Sequence, residues 1–503
     1  LTLVSDANFN RGLPMPKCTD GTMDLGRVGR RVIEANFEGG DIGSDGGVLL
    51  LRRVDERIGL SRAAAAVLSD PRDPARITHT LRDLLAQRIY GLCCGYEDLN
   101  DHDTLRDDLL MQTAVGRVDA LASSPTLSRL ETRATRAQAV ALHGVLIEQF
   151  IASHKSPPEE LVLDIDASDV PLHGDQERCE FHAYYDHHCY LPLYVFCGQA
   201  MLACVLRRSR IDGAKNAAAV IKLLVQRLRQ AWPNARIIVR GDSGFCRQRL
   251  LRWCERSGVN YIIGLARNAR LEATVQYAEA MLADEYARTG AKQRLIDEFV
   301  YAADSWDIER RVITRLEHGS QGNNPRFVVT DLQGDAIQLY ERLYCARGEA
   351  ENRIKEAQLD LFGTRASCHR FAANQLRLLL AALAYTLMQR LREFALKDTE
   401  LERAAAATIR VRLLKIGAAI VRNTRRVRVL NRTPKCGHHD LREALSTAGR
   451  FGRLRRTESA GGGQRVARHG YYAPVRFSIS ARQRRSNWLG GTYPSEECLR
   501  CVL

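Results

Sequence analysis

The sequence predicts an α/β fold: a mixed sheet with a β-rich insertion, flanked by a helical N-terminal region and a helical, basic C-terminal region. Three observations predict it. Between 161 and 265, short apolar and β-branched runs alternate with helical patterns. On either side of that stretch the apolar residues fall mostly at helical spacing. The 503 residues, 45% hydrophobic and 26% charged, suffice for a sizeable core and, by length, for roughly two to four domains.

Residues 1–46 are Gly-rich and mixed and read as an irregular arm. From 47 to 154 the pattern is helical. Leu81, Leu84, Leu85 and Ile89 keep helical spacing, and 136–150 is rich in Ala, Leu and Val with Gly144 as its one breaker. Residues 156–160 carry two prolines and read as a linker. A core is expected over 161–265 and 341–372. Within it 161–166 reads as a buried strand, and 190–197 and 201–207 as two more joined at Gly198. Residues 216–232 form an amphipathic helix stopped by Pro233. Residues 236–240 are a short strand leading into the turn Gly241-Asp242-Ser243-Gly244, then 248–257 is a helix ended by Gly258 and 261–265 a fifth strand. The order β, β-β hairpin, α, β, α, β is close to that of a ribonuclease-H-like mixed sheet. Residues 266–340 hold a helix and then β-branched, aromatic stretches, and are expected to form the insertion. Residues 373–430 are expected to be a helical C-terminal region, and 431–503 a basic, mobile tail.

The net charge is +15 with a pI near 9.3, and it is uneven. Residues 401–503 carry 22 Lys+Arg against 6 Asp+Glu, a net +16, while the remainder is −1. Almost all of that excess is Arg, which suits bidentate phosphate contact, so this segment reads as polyanion-binding. The 14 Cys are scattered. With no signal-peptide pattern at the start, reduced thiols, a cytoplasmic (nucleoid-associated) location and no membrane partner are expected. The apolar run 378–388 is too short to span a bilayer. Cys436, His438, His439, Cys498 and Cys501 match no common zinc spacing, and the cluster His182, His187, His188 and Cys189 is assigned no metal.

Asp164 and Asp166 interrupt the strand Leu-Val-Leu-Asp-Ile-Asp and point to one face of it. Two buried charges are costly there unless paired or metal-bound. Asp242 follows a neighbouring strand. Tyr344, Arg347, Glu351, Lys355 and Gln358 fall within roughly 80° of arc at about 100° per residue of helix. Three acids brought together in this way can hold two divalent ions for in-line phosphodiester displacement, and hard oxygen ligands select Mg²⁺ or Mn²⁺. The arginine and lysine would hold phosphates. The plain alternative, acids in ordinary surface ion pairs, is strong for any one of them and weak for all three in this order.

These motifs resemble the DDE transposases of bacterial insertion sequences, specifically the insertion-sequence-1380 family, over roughly residues 40–430. They are Asp166-Ala-Ser-Asp-Val-Pro-Leu-His173-Gly174, Tyr185-Asp186 through Tyr190-Leu-Pro-Leu193, Val239-Arg-Gly-Asp242-Ser-Gly-Phe245, and Tyr344-x2-Arg347-x3-Glu351 with Lys355. Gly95-Tyr-Glu-Asp98, Leu105-Arg-Asp107 and Pro125-Thr-Leu-Ser-Arg129 look similar too. The resemblance implies a catalytic, metal-holding triad of Asp166, Asp242 and Glu351, with Asp164 the alternative for the first position. It implies DNA or phosphate contacts by Tyr344, Arg347 and Lys355, and two Mg²⁺ or Mn²⁺ per site. The expected activity is binding of the element's terminal inverted repeats by a homodimer, followed by cleavage and strand transfer into target DNA, with 47–154 reading the repeats. The related signature has a lysine seven residues after the glutamate; here that position is Gln358. In relatives with a β-rich insertion a tryptophan from it stacks on a flipped base, which implies that role for Trp306; the alternative is a core anchor. The rival functions are a two-metal nuclease without strand transfer and a DNA-binding derivative without catalysis.

Overall fold

The computed structural model describes residues 23–35 and 39–431. The basic tail, with Cys436, His438, His439, Cys498 and Cys501, lies outside them. The arm is more regular than its composition suggests. Met23–Val28 (β1) and Arg31–Ala35 (β2) pair antiparallel across Gly29-Arg30, and Ile42–Gly43 (β3) joins a sheet described below. Seven α-helices follow among the described residues, from Val48–Ile58 to Arg136–Ser153. Two of them start with reciprocal capping boxes, Thr80 with Asp83 and Thr135 with Gln138. These caps satisfy the orphan N–H groups of the first turn.

The central sheet begins at Glu160–Ala167 (β4). A small sheet of Val170–Pro171 (β5), Glu180–His182 (β6) and His187–Tyr190 (β7) projects from the chain immediately after it. Leu193–Cys197 (β8) and Ala200–Val205 (β9) then form the expected hairpin, turning at Gly198 with φ 55°. Tyr190 belongs to the small sheet rather than to β8, because Pro192 has no N–H for the ladder. Arg236–Gly241 (β10) and Asn260–Leu265 (β11) complete this part, with helices Ala217–Ala231 and Gln248–Arg256 between. The order is β9-β8-β4-β10-β11; β4, β10 and β11 are parallel and β8 is antiparallel to both neighbours.

Two regions flank the residues that cover the site. Residues 266–340 are β-rich, and their strands join the central sheet. After helix Ala269–Thr289, Gln293–Tyr301 (β12), Arg310–Gly319 (β13), Gly322–Asn323 (β14) and Arg326–Thr330 (β15) extend the same sheet, β15 pairing antiparallel with β11. A parallel edge strand as apolar as Tyr-Ile-Ile-Gly-Leu must be covered, and β15 covers it. The C-terminal region is not wholly helical. Ala418–Arg422 (β16) and Val427–Asn431 (β17) form a hairpin that pairs with β3, so the arm and the C-terminal segment share a three-stranded sheet. The β-branched runs on each side of the polar turn at 423–426 account for it.

Side chains alternate across the central sheet into different cores. Leu163, Ile165, Val195, Ile237, Val239 and Ile263 pack under helices Ala217–Ala231 and Gln248–Arg256. Tyr194, Phe196, Met201 and Cys204 face the other way, into a core shared with the N-terminal helices and helix Phe371–Leu391. On that same side Ile238, Ile262, Ile313 and Val328 pack beneath Tyr340. The run Phe371–Leu396 is long and apolar enough to cross a membrane by composition, but 78% of its apolar 18-residue stretch is buried inside this fold, as in a core helix.

Candidate active site

The side of the sheet that carries Asp164 and Asp166 is covered by residues 339–360, whose winding changes from π-type through 3₁₀ and α back to π-type. Constant spacing of about 100° per residue therefore does not hold along it. Asp164 is 2% exposed and fully engaged: Arg240, its partner in the β4–β10 register, grips both carboxylate oxygens at 2.5 and 2.8 Å. Arg240 also donates to the Leu343 carbonyl, tying the strand to the overlying turn. Burial raises the Asp164 pKa, with Arg240 opposing.

Asp166 sits nearer the end of β4, and Asp242 immediately follows β10, whose last residue Gly241 pairs with Ile165. Asp242 caps the next turn, its Oδ1 accepting from Gly244 N–H at 2.8 Å. Asp166 is pushed up to a pKa of about 7, first by burial and then by the Asp242 charge, with Glu351 adding a smaller push. Glu351, on helix Gly348–Lys355, is held by Arg347 one turn earlier at 2.7 Å, and the same guanidinium reaches Asp166 at 3.8 Å. One arginine thus stands between two of the three acids. No group of three or more His, Cys, Asp or Glu among the described residues is placed to hold a metal ion. The donor chemistry nevertheless fits a hard divalent cation: burial first and the Asp242 charge second keep a proton on Asp166 near neutrality, and a cation held by the carboxylates would oppose both.

The sequence matches the family described as transposase DDE domain group 1 over residues 25–446. The chain belongs to the DDE transposase domain family. No curated protein matches it. A cryo-EM structure of a piggyBac transposase synaptic complex with hairpin DNA is similar over 74% of this chain and 80% of that one, at 10% identity and a TM-score of 0.37, a likeness too distant to carry an argument.

In this transposase the other expected site residues divide. Tyr344 is brought to Asp242, whose charge adds to burial in raising the phenol pKa. Lys355 is exposed one turn beyond Glu351. Gln358, in the lysine position of the related signature, is 7% exposed and points inward. It accepts from Ser168 Oγ at 3.3 Å and donates to the Asp169 carbonyl at 3.0 Å, pinning the loop after Asp166 to the helix. Trp306 is partly buried against the core under the sheet, edge-on to Tyr301 at 5.7 Å, with the Arg310 guanidinium 5.0 Å over its ring. Those are the contacts of a packing residue, and none of them brings it to the carboxylates.

Gly264 was missed from the sequence. A Cβ there would lie 2.7 Å from the Tyr344 hydroxyl and 2.8 Å from Ser243 N, so only glycine lets β11 pass beneath the site. A glycine inside an otherwise apolar strand is the signal that marks such an approach.

Proposed function

We propose that this chain is the transposase of an insertion sequence of the 1380 family, acting on DNA from a ribonuclease-H-like sheet with Asp166, Asp242 and Glu351 as its catalytic carboxylates. It binds the terminal inverted repeats, as a dimer on DNA, cuts the ends and joins the 3′-hydroxyl to target DNA. The observation that carries this reading is that Asp166 and Asp242 end two adjacent parallel strands under the helix of Glu351, close enough for their charges to add. The strand order β9-β8-β4-β10-β11 with β8 reversed supports the fold assignment. The engagement of Asp164 by Arg240 supports Asp166 as the first acid.

Mg²⁺ or Mn²⁺, two per site and held by the three carboxylates, would supply Lewis-acid activation of the attacking and leaving oxygens. The protein's own groups do the placing. Arg347, freed from Glu351 and Asp166, presents a planar fork to a phosphate. Lys355 adds a cation on the exposed side of the same helix. Gln358 fixes the loop after Asp166 rather than reaching DNA. Asp166→Asn, Asp242→Asn and Glu351→Gln are each expected to abolish divalent-metal-dependent cleavage of the element's ends in a gel assay while leaving mobility-shift binding nearly intact. Normal cleavage by Asp166→Asn would remove the first assignment, and joining activity separates transposition from simple nuclease action.

A further inference from the structure

We propose that the cleft between the β6–β7 hairpin and residues 209–212 binds an unpaired nucleobase at the DNA end, with Tyr184 as the stacking face and Arg210 beside the phosphate. This rests on the reading of the chain as a DNA-processing enzyme. The cleft has a volume of about 490 Å³ and is lined by Phe181, His182, Tyr184, Arg210, Ile211 and Asp212, among others.

The hairpin is an unusual use of aromatic residues. Tyr184 is 85% exposed and Phe181 44%, and neither joins a hydrophobic core. Tyr184 meets Tyr185 edge-on at 5.0 Å, and Tyr185 lies 4.9 Å from His182 and 6.0 Å from His187. His182 Nδ1 is shielded from solvent yet has no hydrogen-bond partner in the chain. An exposed apolar cluster rimmed by polar groups marks a binding surface. Here the apolar faces are flat rings, the shape that a base stacks on.

The walls are fixed. The Glu180 carboxylate pairs with the Arg208 guanidinium and accepts from Arg210 N–H at 3.0 Å, and Ser209 Oγ donates to the Glu180 carbonyl at 2.8 Å. The Arg207 guanidinium is buried and donates to the carbonyls of Leu191, Gly213 and Lys215, holding the turn that follows. The one acid in the lining, Asp212, is neutralised by Arg247 at 3.0 and 3.1 Å.

The same contacts place the cleft at the active site. Arg247 lies just past the turn that Asp242 caps. His187 Nε2 lies 2.8 Å from Asp169 Oδ2, in the loop that follows Asp166. The hairpin is thus tied to the loop after Asp166, and Tyr184 meets Tyr185 and His182 edge-on while remaining 85% exposed to an incoming strand end.

The test uses the full chain in metal-free buffer, so catalysis does not enter. Three labelled duplexes of one sequence are compared: blunt, with a three-nucleotide unpaired extension, and with the same extension made abasic. The base-bearing extension should bind about tenfold more tightly than the other two, in the lower part of what one stacked base contributes. Tyr184→Ala should erase the difference without weakening blunt binding, Tyr184→Phe should keep it, and 2-aminopurine in the extension should be quenched only by proteins with a ring at 184. Equal affinity for blunt and extended duplexes overturns the inference, as does an abasic extension that binds as well as the base-bearing one. Blunt binding without an extension preference leaves the proposed function standing; no duplex binding at all removes both.

Discussion

Asp166 holds its proton unusually far up the pH scale, and the sign of the consequence follows from linkage. An aspartate in water titrates near 3.8, and burial with the charges of Asp242 and Glu351 raises this one to about 7 in the folded chain. Below about pH 4 the carboxyl is protonated folded or unfolded, and the stabilisation is fully present. Between pH 4 and 7 the unfolded chain releases the proton first, so stability falls as pH rises, by an amount on the order of a few kcal/mol. Asp166→Asn should therefore raise the metal-free melting temperature at pH 8 and flatten its decline between pH 5 and 8. Mg²⁺ competes with the same proton, so its stabilising shift should be larger at pH 8 than at pH 5.5; equal shifts in a thermal melt would argue that the ion binds elsewhere. Burial raises the Asp164 pKa too, but there Arg240 opposes it with a direct pair at 2.5 Å. Arg240→Met strands a buried carboxylate and should cost about 3–5 kcal/mol in denaturant unfolding, as breaking a buried pair does.

At the scale of elements, the described part of the Arg-rich C-terminal segment, residues 401–431, holds both tethers and exposed cations. Arg410 donates to the Cys93 carbonyl at 2.9 Å, Arg422 to the Val118 carbonyl at 2.9 Å, and Lys415 pairs with Asp45 at 2.9 Å. These cations bind the fold together. Arg425 and Arg426 at the β16–β17 turn and Arg428 on β17 are exposed instead. Replacing these three with Ala should lower the log–log salt slope of DNA binding by about 0.9 for each phosphate that is no longer neutralised. An unchanged slope would show that this hairpin stays off DNA. The elements themselves were legible where one rule governed them. Apolar runs at 161–166 and 236–240, the turn after β10 and the Gly198 hairpin all follow from local pattern. The β3–β16–β17 sheet was not legible, because its partners are separated by most of the chain and a two-residue strand carries no periodicity. Of the candidate site, Glu351 and Arg347 were found through helical spacing, but Gln358 was placed in the same arc of the helix. A π-type turn at Glu356–Asp360 rotates it inward, and no residue count at constant spacing anticipates that.

The whole molecule answers a question that the sequence left open, namely whether residues 47–154 are a module that could act alone. Among themselves their apolar side chains close only a small cluster, Leu84, Ala122 and Leu127, and the larger core is shared. Leu85, Ile89, Cys93, Leu142 and Leu146 share one cluster with Leu379, Leu383 and Leu387 of the core helix and with Tyr194, Phe196 and Cys204 of the sheet. The polar contacts run the same way. Glu131, fully buried, accepts from Arg88 at 3.1 Å within the N-terminal helices and from Arg377 of the core helix at 2.6 Å. Arg88 also lies 3.0 Å from His102 Nε2, and that histidine is kept neutral, its pKa lowered to about 3 by burial and by Arg88. Removing the core helix leaves Arg88 and Glu131 without Arg377 and a broad apolar face in water, each costly. A fragment spanning 39–158 is therefore expected to be unfolded or aggregated, with little cooperative melting by circular dichroism. The intact chain with Glu131→Gln should remain folded but lose about 3–5 kcal/mol, since one acid balances two buried guanidinium groups. A fragment that folds cooperatively and binds DNA would mean that this region is a separable reader of sequence. A fragment that fails, beside an intact chain that binds, means that recognition belongs to the assembled molecule, in which the helices, the sheet and Phe371–Leu391 form one body.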